Sequence, residues 1–108
     1  MYVRIVTFHL DGITPEQYEE HSEQIAGAFL DWPGLVAKVW LRDTDANIFG
    51  GVYVFDSKES ADRSRSTDIF VGMGDDPNFA DVTVREYGTI EAATAITARS
   101  LCGVTAHD

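Results

Sequence analysis

The chain has 108 residues, 44% of them hydrophobic and 24% charged, and a formal net charge of −10. Such a length fits one domain, and such a composition fits a folded one. The acidic balance argues against nucleic-acid backbones and anionic membranes as partners, since both attract basic surfaces. No run of about 18 apolar residues offers a membrane span. The first residues, MYVRIVTFHLDG, go straight into a strand-like pattern without the basic and apolar regions of a signal peptide. Cys102 is the only cysteine, which excludes an internal disulfide. These features predict a cytoplasmic protein. Without cysteine pairs or an HExxH motif, and with scattered histidines, no metal site is expected.

In chain order, residues 2–10 are rich in β-branched and aromatic types and read as a first strand. Thr14-Pro15-Glu16-Gln17 opens a helix, with Thr14 as cap, Pro15 at the first helical position and Gln17 completing a capping box. That helix is predicted to run to about Leu30 and to stop before Trp32-Pro33-Gly34. A second strand covers roughly 35–42, a turn Asp43–Asn47, and a third strand roughly 48–55. Capping-box spacing from Asp56 to Glu59 starts a second helix that ends near Gly72. A loop at 74–78 leads to a fourth strand at about 80–90. Residues 1–90 form the domain. The Ala- and Thr-rich tail 91–108 forms a short helix, covers a neighbour or frays.

The order is β-α-β-β-α-β, the ferredoxin-like split βαβ arrangement: an α+β fold whose antiparallel sheet carries two helices on one face. Strand one is apolar on both sides, Val3 and Ile5 against Val6 and Phe8. Strand three repeats this with Val52 and Val54 against Tyr53 and Phe55. A sheet with one solvated face alternates apolar and polar residues, and these strands do not. Two helices cover one face, so the second is predicted to pack on another copy in a homodimer.

Several features resemble the YdhR-type mono-oxygenases of the dimeric α+β barrel superfamily, relatives of the antibiotic-biosynthesis monooxygenases. They are Pro33-Gly34, Lys38-Val39-Trp40, the ten-residue step from Trp40 to Gly50, Gly50-Gly51-Val52-Tyr53-Val54-Phe55, and Glu59-Ser60-Ala61. The likeness covers about residues 1–90. It implies a small mono-oxygenase acting on an aromatic or polyketide-like molecule by deprotonation and O₂. A non-oxidative isomerase or cyclase and a non-catalytic small-ligand-binding protein are the alternatives on the same scaffold. No GxGxxG, P-loop or paired-carboxylate motif is present, so no cofactor is expected.

Candidate site residues follow from spacing. A hairpin about residues 44–47 sets Trp40 opposite Gly50 or Gly51. The glycine pair either lets the indole pack over the backbone or leaves a pocket of which Trp40 is one wall. Tyr18, Ile25, Ala28 and Phe29 mark the inward face of helix one. His21 lies on or beside that face, either as a boundary residue or as the catalytic base, since an imidazole titrates near neutral pH. Tyr18 is a pocket-lining candidate and Tyr53 a core or substrate-contacting one. His9 reads as an edge residue. Arg4, Lys38 and Arg42 read as solvent-facing or interface ion-pair residues, one of which could neutralise an enolate. Cys102 has no catalytic context.

Overall fold

The computed structural model describes residues 1–101. Four strands, β1 (Tyr2–Leu10), β2 (Leu35–Asp43), β3 (Ile48–Phe55) and β4 (Phe79–Gly88), form one antiparallel sheet in the order β2-β3-β1-β4. The central pair β1 and β3 run from Tyr2 opposite Phe55 to Phe8 opposite Phe49. This is the expected ferredoxin-like α+β architecture. The helices lie on one face, over the buried side chains of Val6, Phe8, Phe49, Tyr53 and Phe55.

Helix α1 (Pro15–Ile25) starts as its sequence dictates. Thr14 accepts from the Gln17 amide, and the Gln17 side chain accepts in return from the Thr14 amide. Beyond Ile25 the chain tightens into a 3-10 helix, Ala26–Asp31, instead of continuing as α-helix to Leu30. Gly27, a poor helix former, stands in this segment. The change from 3.6 to 3.0 residues per turn buries Phe29 and turns Ala28 outward, against the expectation for Ala28.

The predicted second helix is two helices, α2 (Lys58–Ser64) and α3 (Asp68–Asp75). Its cap is Ser57 rather than Asp56, with the Ser57 hydroxyl accepting from the Ser60 amide. The break comes where Ser and Thr side chains compete for backbone groups. Thr67 donates to the Ser64 carbonyl at 2.7 Å and accepts from the Phe70 amide at 3.3 Å, so it caps a new helix. In the tail, α4 (Glu91–Thr97) is a short helix, and the Glu91 carboxylate meets the N-terminal amine. Cys102 lies outside the described residues.

Among the described residues, the hydrophobic core cluster takes no side chain from the rows of the sheet's second face. Opposed residues in an antiparallel ladder share a face. Two rows therefore lie there, Ala37-Val54-Val3-Tyr87 and Val39-Val52-Ile5-Arg85. Val39 and Tyr87 are each more than half exposed. The apolar reading of this face was correct. No helix among the described residues is long and apolar enough to cross a membrane.

Candidate functional site

Between the sheet and the helices lies a cavity of about 310 Å³. Its floor is Phe8, Trp40, Gly50 and Tyr53. Tyr18, His21, Ile25 and Phe29 wall it on one side, and Ile69 and Met73 of α3 on another. A more open groove adjoins it across Tyr18 and Trp40, bordered by the exposed Arg42–Glu19 ion pair. The inner cavity is the better candidate, because enclosure by aromatic surface with a few polar groups is what a small-molecule site requires.

The walls are mostly aromatic rings held by other rings. Phe29 meets Trp40 edge-on at 5.5 Å and Trp32 at 4.9 Å. Tyr53 stacks between Trp32 and Phe55, at 5.8 and 6.3 Å. Tyr18 makes edge contacts with Phe8 and Phe49. Burial raises the pKa of the Tyr18 phenol; burial and then the nearby Tyr18 raise that of Tyr53. Both are therefore neutral hydroxyls at neutral pH.

Lys38 is the one amine of this wall, and it is half-buried. Its Nζ lies 3.5 Å from the centre of the Phe29 ring, 3.4 Å from that of Trp40 and 4.6 Å from that of Tyr53. Two effects oppose each other there. Ring faces favour the ammonium by about 2 kcal/mol when desolvated. Loss of water favours the neutral amine and brings its pKa down to about 7. Lys38 was expected to face solvent or an ion-pair partner; it turns inward because it shares the Trp40 face of β2, two residues away.

The glycine pair explains how Lys38 fits. Trp40 pairs with Gly51 and Lys38 with Tyr53. A Cβ on Gly51 would stand 3.0 Å from Lys38 Cε, so the missing side chain makes room for the lysine chain. Gly50, at φ +154°, is different: a Cβ there would come within 1.9 Å of the Val6 carbonyl oxygen. Its role is close backbone approach. Trp40 and Gly50 both line the cavity.

Of the predicted site residues, the cavity brings together Tyr18, His21, Trp40, Gly50 and Tyr53, with Gly51 beneath Lys38. His21 is exposed, at the mouth. His9 is elsewhere, at the end of β1, 3.0 Å from Asp81 Oδ2. Lys38 was one of three cations read as able to neutralise an enolate, and its inward turn was legible from the two-residue spacing to Trp40. Two charged residues were missed, Asp68 and Asp76, which also line the cavity and depended on the unforeseen α2–α3 break. Arg4 is also a correction. It is fully buried, bonding Glu86 at 2.6 Å, Ser64 Oγ at 2.8 Å and the Ala61 carbonyl at 2.7 Å. Among the described residues no group of three His, Cys, Asp or Glu could hold a metal ion.

A four-stranded antiparallel sheet with helices, the ferredoxin-like α+β fold seen here, is shared with solved antibiotic-biosynthesis monooxygenase structures. The chain belongs to the family described as "Putative mono-oxygenase ydhR", whose profile matches residues 4–100. Solved structures share the fold at low identity. SnoaB of Streptomyces nogalater, a cofactor-independent oxygenase, is 17% identical with a TM-score of 0.66, over 83% of this chain and 93% of its own. The heme-degrader MhuD of Mycobacterium tuberculosis, with two hemes bound in its active site, is 15% identical with a TM-score of 0.67, over 83% and 96%. A "putative antibiotic biosynthesis monooxygenase" of Deinococcus radiodurans is 15% identical with a TM-score of 0.71, over 84% and 94%. No curated protein matches the sequence.

Proposed function

We propose that the protein is a cofactor-independent mono-oxygenase for a flat aromatic or polyketide-like molecule held in the cavity between Trp40 and Tyr18. The observation that carries this reading is the cavity itself, a largely aromatic space with proton-handling groups on its wall. Family membership and the oxygenase fold support it.

The chemistry needs three things from the protein. Ring stacking on Trp40 and Phe29 orients a flat substrate. His21, at the mouth, takes the proton from an acidic phenol or enol and passes it to water. The resulting anion gives an electron to O₂, and the two radicals combine at carbon. Loss of water from the peroxide leaves one oxygen atom as a carbonyl, so CH₂ plus O₂ becomes C=O plus H₂O with no outside reductant. Exclusion of bulk water protects the intermediates.

The working unit is a homodimer, joined through the apolar sheet face. Oxygen consumption with anthrone-like compounds and hydroxynaphthoquinols tests the reading. His21→Ala lowers kcat by roughly 10²–10⁴-fold, the usual worth of a general base. Full turnover in that variant removes His21 from the mechanism.

A further inference from the structure

Lys38 is half-buried and is the one cation on the cavity wall; Arg63, Arg85 and Arg99 also lack a carboxylate partner but do not line the cavity. Arg4, Arg42, Lys58 and Arg65 each have a carboxylate at ion-pairing distance. Among the described residues Lys38 has none, and its nitrogen has no hydrogen-bond partner either; it touches the faces of three rings. A cation in a cavity of ring surface lacks one thing, an anion of its own. Gly51 keeps a slot open for its chain, so this placement is built into the sheet.

We propose that Lys38 makes the cavity a receptor for flat aromatic anions, carboxylates or enolates, whose charged oxygen seats against its ammonium. The inference rests on the reading of the cavity as the ligand site and adds the charge of the ligand. The ring system lies against Trp40 and Phe29, and its oxygen takes the place beside Nζ that no protein group fills. In turnover, a proton leaves at the mouth and the delocalised charge settles on the inner oxygen. Lys38 is then a specificity-determining residue that stabilises that oxyanion.

The groups facing the cavity set the pH behaviour. They are Tyr18 and His21 from α1, Asp68 from α3, Asp76 at the C-terminal cap of α3, and Tyr53 from β3. Both tyrosines stay neutral and both aspartates, at the two ends of the far helix, lie outside ion-pairing distance of Lys38. Burial leaves the empty site's amine titrating at about 7. An anion binds only the protonated form, so it draws a proton from solvent above that pH.

Calorimetric titration with two probes, 2-naphthoate and the neutral 2-naphthylmethanol, tests this. It is run on the intact protein and in a His21→Ala background, which leaves Lys38 as the one basic side chain on the cavity. At pH 6 the carboxylate binds at least about tenfold tighter than the alcohol. From pH 6 to 9 its affinity falls by roughly 100-fold, with uptake of about one proton per probe at pH 8, and the alcohol is indifferent to pH. Lys38→Met, a change of similar shape, keeps the alcohol and loses both the carboxylate preference and the pH dependence. Lys38→Arg, charged at every pH, keeps the preference and loses the pH dependence. Equal binding of both probes at all pH values overturns the role of Lys38 and leaves the cavity reading standing. Retention of the preference in Lys38→Met overturns it as well. Binding of neither probe overturns the cavity reading and this inference with it.

Discussion

Lys38 is held in its folded surroundings at the expense of stability. In the unfolded chain its amine titrates at the ordinary 10.5, and in the folded cavity at about 7. Between those values the unfolded chain holds the extra proton, so stability rises with pH across this window. Below pH 7 both states are charged and the destabilisation is complete; above 10.5 both are neutral and it is gone. Lys38→Met is therefore more stable than the parent by about 2 kcal/mol at pH 7, and the difference shrinks by pH 10. Thermal melts at the two pH values check this, and a variant less stable at pH 7 contradicts it. The Arg4 cluster works in the opposite sense. Burial alone would raise the Glu86 pKa, but the guanidinium groups of Arg4 and Arg65 outweigh it and hold the carboxyl below its usual range. Its contribution is thus present at neutral pH and fades in acid, as pH falls through the lowered pKa. Glu86→Gln leaves Arg4 buried without its counter-charge and destabilises by roughly 2–3 kcal/mol at pH 7. Melts should show that deficit narrowing toward pH 3. These two lysine and arginine positions were not readable from residue type, because a cation on a strand is ordinarily a surface group and only the face it shares with its neighbours says otherwise.

The elements themselves were legible wherever the chain carried both a start signal and a period. The α1 capping box, the β2–β3 hairpin and the two-sided apolar strands are present as read. The misses arose where two local preferences compete. Ala28 follows an α-helical stripe in sequence, but the turn it occupies is 3-10. The stretch after Ser57 reads as one helix, yet Thr67 bonds Ser64 and restarts the chain as α3. That restart positions Ile69 and Met73 on the cavity. Thr67→Ala removes the cap and destabilises by about 1 kcal/mol. Because α3 is a wall, the same change weakens ligand binding while leaving His21 and Lys38 in place. Calorimetry with a naphthalene probe and a thermal melt together check it, and unchanged binding with a lowered melting point would separate α3 from the site.

Across the whole molecule, the helix-covered face carries the candidate cavity, and the second face carries two largely apolar rows. The rows through Val39, Val52 and Ile5 and through Val54, Val3 and Tyr87 are the surface we assign to the dimer. Light scattering at micromolar concentration gives twice the chain mass if this is correct. Val39→Lys, which puts an unpaired charge into that contact, shifts the protein to monomer. A folded monomer for the unaltered chain contradicts the assignment. The ligand's identity was not legible, because a cavity of rings recognises a shape and a charge that many molecules share.

In the proposed reaction the cavity directs O₂ onto a deprotonated aromatic ring. Isotope incorporation tests it most directly. An anthrone-like substrate is turned over under ¹⁸O₂, and product and solvent water are analysed together by mass spectrometry. The account predicts one ¹⁸O atom in each product molecule, the second in water, one O₂ consumed per turnover, and loss of the reaction in His21→Ala. Substrate conversion without oxygen uptake would contradict it and make the protein a non-oxidative enzyme on the same scaffold.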